Sequence, residues 1–308
     1  MANFREGTPE ESAFLGDLVS AGLIIESGVP GVYGFNEVYI RIREAMEQLI
    51  GRRAADDRPE KLQFPPVLPK TILEDTGYLN SFPHLGACVC GFEGGERDAA
   101  ELAAVAAGHG SWPHQHQTDL VLTPAACYPV YPAIAKRGPV PAGGLCVDAG
   151  SALVFRNEPS GDPARLQMFR QRELVRIGEP ETVAAWRDKW RDRAIEILSS
   201  LGLEPKFDIA SDPFFGRAGR MMGASQREQE LKFEVMVPIA SPEPTAVASF
   251  NYHRDHFTHL NHIVMDDGGE AHTACLGFGM ERCTVALLRK HGLEPDGWPA
   301  EVREVLWG

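Results

Sequence analysis

The chain has 308 residues, of which 44% are hydrophobic, 24% charged and 8% aromatic, with 30 Lys and Arg against 43 Asp and Glu and a formal net charge of −13. This composition excludes a disordered, collagen-like or low-complexity chain and is ample for a buried core. The acidic balance argues against nucleic acid as the main partner, no stretch approaches the roughly 20 apolar residues that span a bilayer, and the polar start MANFREGTPEES has no secretion-signal pattern.

Residues 1–56 read as helical. Phe14, Leu15, Leu18 and Val19 form one apolar stripe, and Val38, Ile42, Met46, Leu49 and Ile50 form a second, with Asn36 as its N-cap. The expected division is an N-terminal helical segment, 1–60, packed on a larger unit, 61–308. The run Phe64-Pro65-Pro66-Val67-Leu68-Pro69 reads as an edge strand or an extended segment, because proline cannot donate to a central ladder. Ser151–Glu158 and Leu166–Gly178 read as two strands of a hairpin, joined by a mobile loop rich in Pro, Ser, Gly and Asp. Pro180–Leu201 reads as a long helix with Trp186, Trp190, Ala194 and Ile197 on its buried stripe. Leu231–Ile239, Thr245–Tyr252 and His272–Phe278 are further strands, and Gly279–His291 is a helix entered directly from the last of them. Hairpin strands followed by helices predict an α+β fold with a mainly antiparallel sheet flanked by helices. No GxGxxG or GxxxxGK[ST] run is present, which argues against a Rossmann or P-loop site.

Six cysteines stand at 88, 90, 127, 146, 275 and 283, with no CxxC pair. A chain of this size needs no disulfide staples, so the expectation is a reduced cytoplasmic protein with Cys88, Cys90, Cys146 and Cys283 as buried thiols.

Two segments carry chemistry. In the first, Arg156 and Glu158 end a strand and share a face by period 2, while Phe169 lies on the returning strand. A guanidinium, a carboxylate and an aromatic ring can hold a phosphate, an exocyclic amine and a flat base. The same residues also fit a surface ion pair and a core phenylalanine. In the second, Cys275, Gly277 and Gly279 share one strand face, and Leu276 and Phe278 share the other. The glycines bare the backbone to a close-lying ligand, and Arg282 falls in the first turn of the next helix, where anions bind readily. A plain Gly-rich turn is the alternative.

These segments, FRNEPSGDPARLQMFRQREL and GFGMER, resemble motifs 2 and 3 of the class II aminoacyl-tRNA synthetases. With TPAACYPVYP, DPFFGRAGRMM, LKFEVMVPIA, SFNYHRDHF and HTACLGFGMERCTVAL, the chain resembles the amino acid:[carrier protein] ligases, truncated relatives of the atypical seryl-tRNA synthetases. The resemblance runs from about Phe64 to Leu288. It implies a class II catalytic domain, a homodimer with Phe64-Pro65-Pro66 near the interface, and one Zn2+ per subunit held by Cys127, Glu173 and Cys275. Glu173 also faces the amine of the substrate amino acid. Thiolate and carboxylate are natural zinc ligands, and three protein ligands leave a fourth position open.

The resemblance further implies ATP with Mg2+. Arg156 and Arg282 are the catalytic pair, with Arg156 on the α-phosphate. Glu158, Arg165, Leu166, Phe169, Ala248, Ser249 and Asn251 complete the nucleotide site. Where the seryl enzymes carry an ExSSxSN-like run, this chain has Glu243 through Asn251, which leaves the magnesium carboxylate open, with Glu243 as a candidate. The implied activity is ATP-dependent activation of a small amino acid, glycine or alanine, and its transfer to a phosphopantetheinylated carrier protein, without tRNA or membrane. A truncated tRNA synthetase and a non-catalytic nucleotide-binding regulator are the rival readings. Arg187, Arg191, Arg217 and Arg220 are candidates for docking an acidic carrier, since the overall charge calls for a local basic patch. His253, His256, His259 and His262 recur every three residues, a spacing that diverges around a helix and so predicts a polar wall rather than one metal site.

Overall fold

The computed structural model describes residues 4–241 and 243–308. In chain order the elements are α1 (Pro9–Ser20), β1 (Ile24–Val29), β2 (Val32–Phe35), α2 (Glu37–Arg53), β3 (Glu60–Lys61), β4 (Val67–Pro69), α3 (Lys70–Asp75), α4 (Tyr78–Ser81), β5 (Cys88–Phe92), α5 (Glu96–Ala107), β6 (Gln115–Leu122) and α6 (Val130–Ala135). They continue with β7 (Leu145–Phe155), β8 (Met168–Gly178), α7 (Pro180–Ser200), β9 (Lys206–Ile209), α8 (Gly216–Glu228), β10 (Lys232–Val237), β11 (Thr245–Arg254), α9 (His256–Asn261), β12 (His272–Gly279), α10 (Met280–His291) and α11 (Ala300–Trp307).

A seven-stranded sheet in the order β3-β7-β8-β12-β11-β10-β9 forms the frame. All its pairs are antiparallel except β3 with β7. The fold is therefore the α+β arrangement that the hairpin pattern predicts. A smaller sheet, β4-β6-β5, places Val67–Pro69 at an edge, while Phe64–Pro66 before it belongs to no strand.

One face of the large sheet carries the main core. Leu276 and Phe278 of β12 and Phe250 of β11 join Trp190 and Ile197 of α7 and Met46 and Ile50 of α2, all essentially inaccessible to solvent. The opposite face carries a second core in which Val130, Tyr131 and Ile134 of α6 pack near Phe257 of α9. Cys127 and Cys275 belong to this second group. The alternation along β12 thus divides the sheet into a packing side and a side left for chemistry.

The N-terminal region departs from the helical expectation. Residues 24–35 form the β1–β2 hairpin between α1 and α2. Gly28 and Gly31 take φ of +85° and +76°, which turn the chain where a helix would continue. Gly31 also meets the loop after β7: its carbonyl accepts from Gln167 N at 2.7 Å, and a Cβ there would lie 3.0 Å from that nitrogen. The two predicted stripes are real helices. Thr8 and Glu11 exchange capping bonds at the start of α1, and Asn36 Oδ1 accepts from Tyr39 N at the start of α2.

The loop between β7 and β8, expected to be mobile, is pinned instead. Arg5 reaches Asp162 at 3.3 Å and Glu11 at 3.0 Å, and Arg5 N donates to Pro159 O. Ser160, Asp162 and Ala164 are buried. The first segment of the chain therefore acts as a clamp on the loop that carries Glu158 and Arg165.

Three further expectations are corrected. Cys88 and Cys90 are exposed on β5, while Cys146 and Cys283 are buried as expected; β5 is an edge strand with one face open. Arg187 is not available for docking: it is buried, donates to Glu230 O at 2.7 Å, and lies over the rings of Phe233 and Tyr252. Arg191 pairs with Asp192 and covers Phe207, so it too serves the helix surface. Among the described residues no helix is long and apolar enough to cross a membrane.

Asp148 of β7 and Arg172 of β8 form a buried bidentate pair at 2.6 and 2.7 Å beside the site strand. Removing one partner leaves a buried charge unpaired. Asp148→Ala is expected to cost about 3–5 kcal/mol, and the double replacement Asp148→Leu/Arg172→Met far less. Urea unfolding of the two variants measures the contrast; equal losses would show that the charges are not what matters there.

Candidate active site

The functional side of the sheet opens into a cavity of about 390 Å³. Its floor is built from three adjacent strands. Phe169, Gln171 and Glu173 of β8, Cys275, Gly277 and Gly279 of β12, and Ser249 and Asn251 of β11 alternate toward it. Register makes them neighbours: Gly277 lies opposite Glu173 and Ser249, and Cys275 opposite Asn251. Gly277 permits a close approach, because a Cβ there would lie 2.7 Å from Gln171 Nε2 and displace that side chain. Gln171 is fixed in turn, its Oε1 accepting from Ala126 N at 3.1 Å. That bond ties the segment before α6, and with it Cys127, to the sheet.

Cys127, Glu173 and Cys275 offer one donor atom each, all within 4.8 Å of one another, and all three residues are buried. Glu173 Oε2 has no hydrogen-bond partner. Burial pushes the Glu173 carboxyl above its ordinary range, although the adjacent Cys275 and Cys127 thiols act to lower it. For Cys127 the neighbouring Cys275 thiol favours the thiolate, but burial and the Glu173 charge outweigh it and raise the pKa. The Cys127 thiol, with burial and the Glu173 charge, drives Cys275 well above the usual thiol value. Three acids withdrawn from water around one point suit a cation. The donor set of two sulfurs and one carboxylate fits zinc, and the orphaned oxygen is the atom such an ion would satisfy.

Another part of the cavity wall is cationic. Arg156 Nε donates to Pro124 O at 3.1 Å, and its guanidinium lies 5.5 Å from the Phe169 ring centre. Arg282, in the first turn of α10, donates to Ala164 O at 2.7 Å and to Ala246 O at 2.9 Å. Burial is the main cause that lowers the Arg282 pKa, and repulsion from Arg165 and Arg156 adds to it. Guanidiniums crowded in this way form a site for an anion.

Of the residues singled out from sequence, Cys127, Arg156, Phe169, Glu173, Ala248, Ser249, Asn251, Cys275 and Arg282 line the cavity. Glu158, Arg165 and Leu166 are not among its lining residues. β7 ends at Phe155, so the period-2 argument for Arg156 and Glu158 does not apply; Glu158 instead pairs with Arg165 at 3.2 Å on the loop. Glu243 is exposed and lies outside the lining, whereas Glu234, opposite Ser249, is on it. The helical-spacing argument for the four histidines does not apply, because His253 is on β11, His256 and His259 are on α9, and His262 follows its end; His253 and His256 line the cavity, and His259 and His262 do not.

Sequence reasoning missed an ionic cluster on the same wall. Lys232 reaches Asp212 at 2.7 Å and Glu234 at 3.0 Å, and Gln226 of α8 donates to Asp212 at 2.8 Å. Burial alone would raise the Asp212 pKa, but Lys232 and Gln226 outweigh it and hold it below the usual range. Lys232 and Glu234 are two apart on β10 and share a face, but no short spacing marks Asp212, which lies twenty residues before Lys232. His253 did carry a signal, since it continues the Ser249–Asn251 face by one more pleat.

No protein-family model matches the sequence. The M. kandleri seryl-tRNA synthetase, solved in complex with A. aeolicus tRNASec, superposes with a TM-score of 0.77 at 22% identity, covering 95% of this chain and 59% of that one. The Pyrococcus horikoshii seryl-tRNA synthetase complexed with ATP gives 0.67 at 15% identity, covering 95% and 62%. This chain thus spans about three-fifths of either synthetase, and the architecture is that of a class II aminoacyl-tRNA synthetase catalytic domain. In sequence, a type-2 serine--tRNA ligase of Methanopyrus kandleri is 29% identical over 201 residues, 60% of this chain and 37% of that protein.

Two Bradyrhizobium diazoefficiens proteins named amino acid--[acyl-carrier-protein] ligase 1 and 2 are each 47% identical to this chain, over 293 and 304 residues. Those matches cover 94% and 98% of this chain and 89% and 90% of the relatives. The chain belongs to the amino acid--[acyl-carrier-protein] ligase family.

The three buried acids set a pH dependence. A group whose folded pKa is raised stabilises the fold below its unfolded pKa and loses that contribution as pH rises through the folded value. Metal-free protein is therefore expected to lose melting temperature as pH climbs above the ordinary Glu173 value of 4.5. Zinc is expected to raise the melting temperature more at about pH 8 than at about pH 6, because its ligands must shed protons to bind. Thermal melts with and without zinc at both pH values check this, and equal shifts would contradict it.

Proposed function

We propose that the protein uses Mg-ATP to convert a small amino acid, glycine or alanine, into its adenylate and then transfers the aminoacyl group to the phosphopantetheine thiol of a carrier protein. The observation that carries this reading is the meeting of two thiols and a carboxyl from three separate segments on the wall of a cavity that Arg156, Phe169 and Arg282 also line. The names of the 47%-identical relatives support the same acceptor.

Cys127, Glu173 and Cys275 would hold the zinc. When bound there, the ion supplies an open Lewis-acidic position for the free amine of the substrate. Glu173, buried in the floor, faces that amine as well. A site matched to an amine is expected to reject the corresponding hydroxy acid by roughly 10⁴–10⁵-fold, as matched polar sites can.

In the first step a substrate carboxylate oxygen attacks the α-phosphorus, the bond to the bridging oxygen breaks, and pyrophosphate leaves. Arg156 neutralises charge on the α-phosphate, and Arg282 with Arg165 holds the outer phosphates. Phe169 stacks on the base, Glu158 accepts from its amine, and Leu166, Ala248, Ser249 and Asn251 complete the nucleotide contacts. Glu234 takes the magnesium role left open for Glu243. In the second step the carrier thiol loses its proton to solvent and attacks the adenylate carbonyl, and the bond to phosphate breaks to release AMP. Positioning supplies much of the acceleration.

The carrier is proposed to dock on α8. Arg217 and Arg220 are exposed on this helix, while its Met222 and Gln226 line the cavity, so a basic surface stands at the mouth. Such a patch can draw an acidic carrier despite the net charge of −13. The assembly is proposed to be a homodimer with Phe64, Pro65 and Pro66 near the interface. The proposed compartment is the reducing cytoplasm, where the free surface thiols Cys88 and Cys90 would persist.

Amino-acid-dependent exchange of pyrophosphate into ATP is expected with glycine or alanine, and Arg156→Ala is expected to lower it at least about 10²-fold. Exchange with none of the standard amino acids, zinc present, would favour a regulatory nucleotide-binding protein. Labelled amino acid offered with bulk tRNA and with phosphopantetheinylated carrier should mark the carrier; label on tRNA would overturn the acceptor. Arg217→Glu/Arg220→Glu should slow transfer while leaving pyrophosphate exchange intact, and an unchanged transfer rate would exclude α8 as the docking helix.

A further inference from the structure

We infer that His253, backed by Thr273, is the positioning residue that orients Cys275 as a metal ligand, an inference that rests on the zinc reading above. His253 Nε2 lies 3.5 Å from Cys275 Sγ. Its other ring nitrogen, Nδ1, lies 3.0 Å from Thr273 Oγ1, and Thr273 is fully buried. β11 and β12 are neighbours, so His253 approaches Cys275 and Thr273 of the adjacent strand from the side. The ring plane is fixed by packing: Phe257 meets it edge-on at 4.9 Å and Tyr131 at 6.2 Å.

Hydrogen-bond chemistry gives the two nitrogens different tasks. A metal-bound thiolate offers only lone pairs, so the ring must present its N–H from Nε2. Nδ1 is then an acceptor, and the Thr273 hydroxyl is the donor that fixes this tautomer. An N–H aimed at sulfur settles the direction in which the remaining lone pairs point and disfavours reprotonation of the ligand. Metal-ligating groups are commonly oriented by such outer partners, whose loss costs about 10–100-fold in metal affinity. Asn251 Nδ2 approaches the same sulfur at 3.7 Å, but it is already assigned to the nucleotide wall, so the distinguishing variants fall on His253 and Thr273.

His253→Phe keeps the ring packed against Tyr131 and Phe257 but removes the donor. His253→Gln restores an N–H within reach, and Thr273→Val removes the hydroxyl without changing shape. Zinc affinity by competition with a chromophoric chelator is expected to fall about 10–100-fold in His253→Phe, to recover most of that in His253→Gln, and to fall less, in the same direction, in Thr273→Val. In cobalt-substituted full-length protein, the thiolate-to-cobalt charge-transfer band is expected to move to longer wavelength in His253→Phe and Thr273→Val, and to return toward wild type in His253→Gln.

Wild-type protein that binds one cobalt with a thiolate band, beside a His253→Phe variant of equal affinity and unmoved band, would overturn the inference alone. Wild-type protein that binds no cobalt would remove the zinc reading and the inference together. Should His253→Phe fail to fold, Thr273→Val decides: unchanged affinity and band overturn the role of the pair.

Discussion

Three acids withheld from water around a single point are the constraint on which the structure turns. Cys127, Glu173 and Cys275 come from a loop and two different strands, and none of them can be ionised there without electrostatic compensation. Their pKa values rise for that reason. A fold that brings such groups together carries a cost, which metal binding is suited to offset. The Gln171 bond to Ala126 N, the cross-strand register and the His253 contact all serve to keep the three donors in place.

The sheet then separates two jobs by side-chain parity. On β12, Leu276 and Phe278 secure the main core, while Cys275, Gly277 and Gly279 form the floor of the cavity. Cohesion and chemistry thus use the same strand without competing for the same positions. The N-terminal segment adds a second layer of order, since Arg5 and Gly31 hold the loop that follows β7. The arginines of that loop and of α10 are placed by backbone carbonyls before any anion arrives.

Much of this was legible in the sequence where the signal is periodic. The alternation of Cys275 through Gly279, the stripes of α1, α2 and α7, and the hairpin of β7 and β8 all follow from spacing. The β1–β2 hairpin was not, because its strands are short and only Ile24 of β1 is buried, so no alternation marks them. Arg187 looked available for docking because sequence does not show that Phe233 and Tyr252 lie beneath it. The metal-type cluster is separated by tens of residues and was reachable only through the family resemblance. The Asp212–Lys232 pair had no signal at all, since long-range ion pairs leave no spacing. His253 could have been reached by following the β11 face one pleat further.

The floor of the cavity has an evolutionary corollary. Gly277 leaves room for Gln171, and Gln171 secures the segment bearing Cys127, so a methyl group at 277 would press on an amide whose other bond fixes the Cys127 loop. The coupling runs one way: a side chain at 277 calls for a shorter or displaced residue at 171, whereas shortening 171 leaves Gly277 unstrained. A library randomising the two codons together should return non-glycine residues at 277 chiefly beside a changed 171.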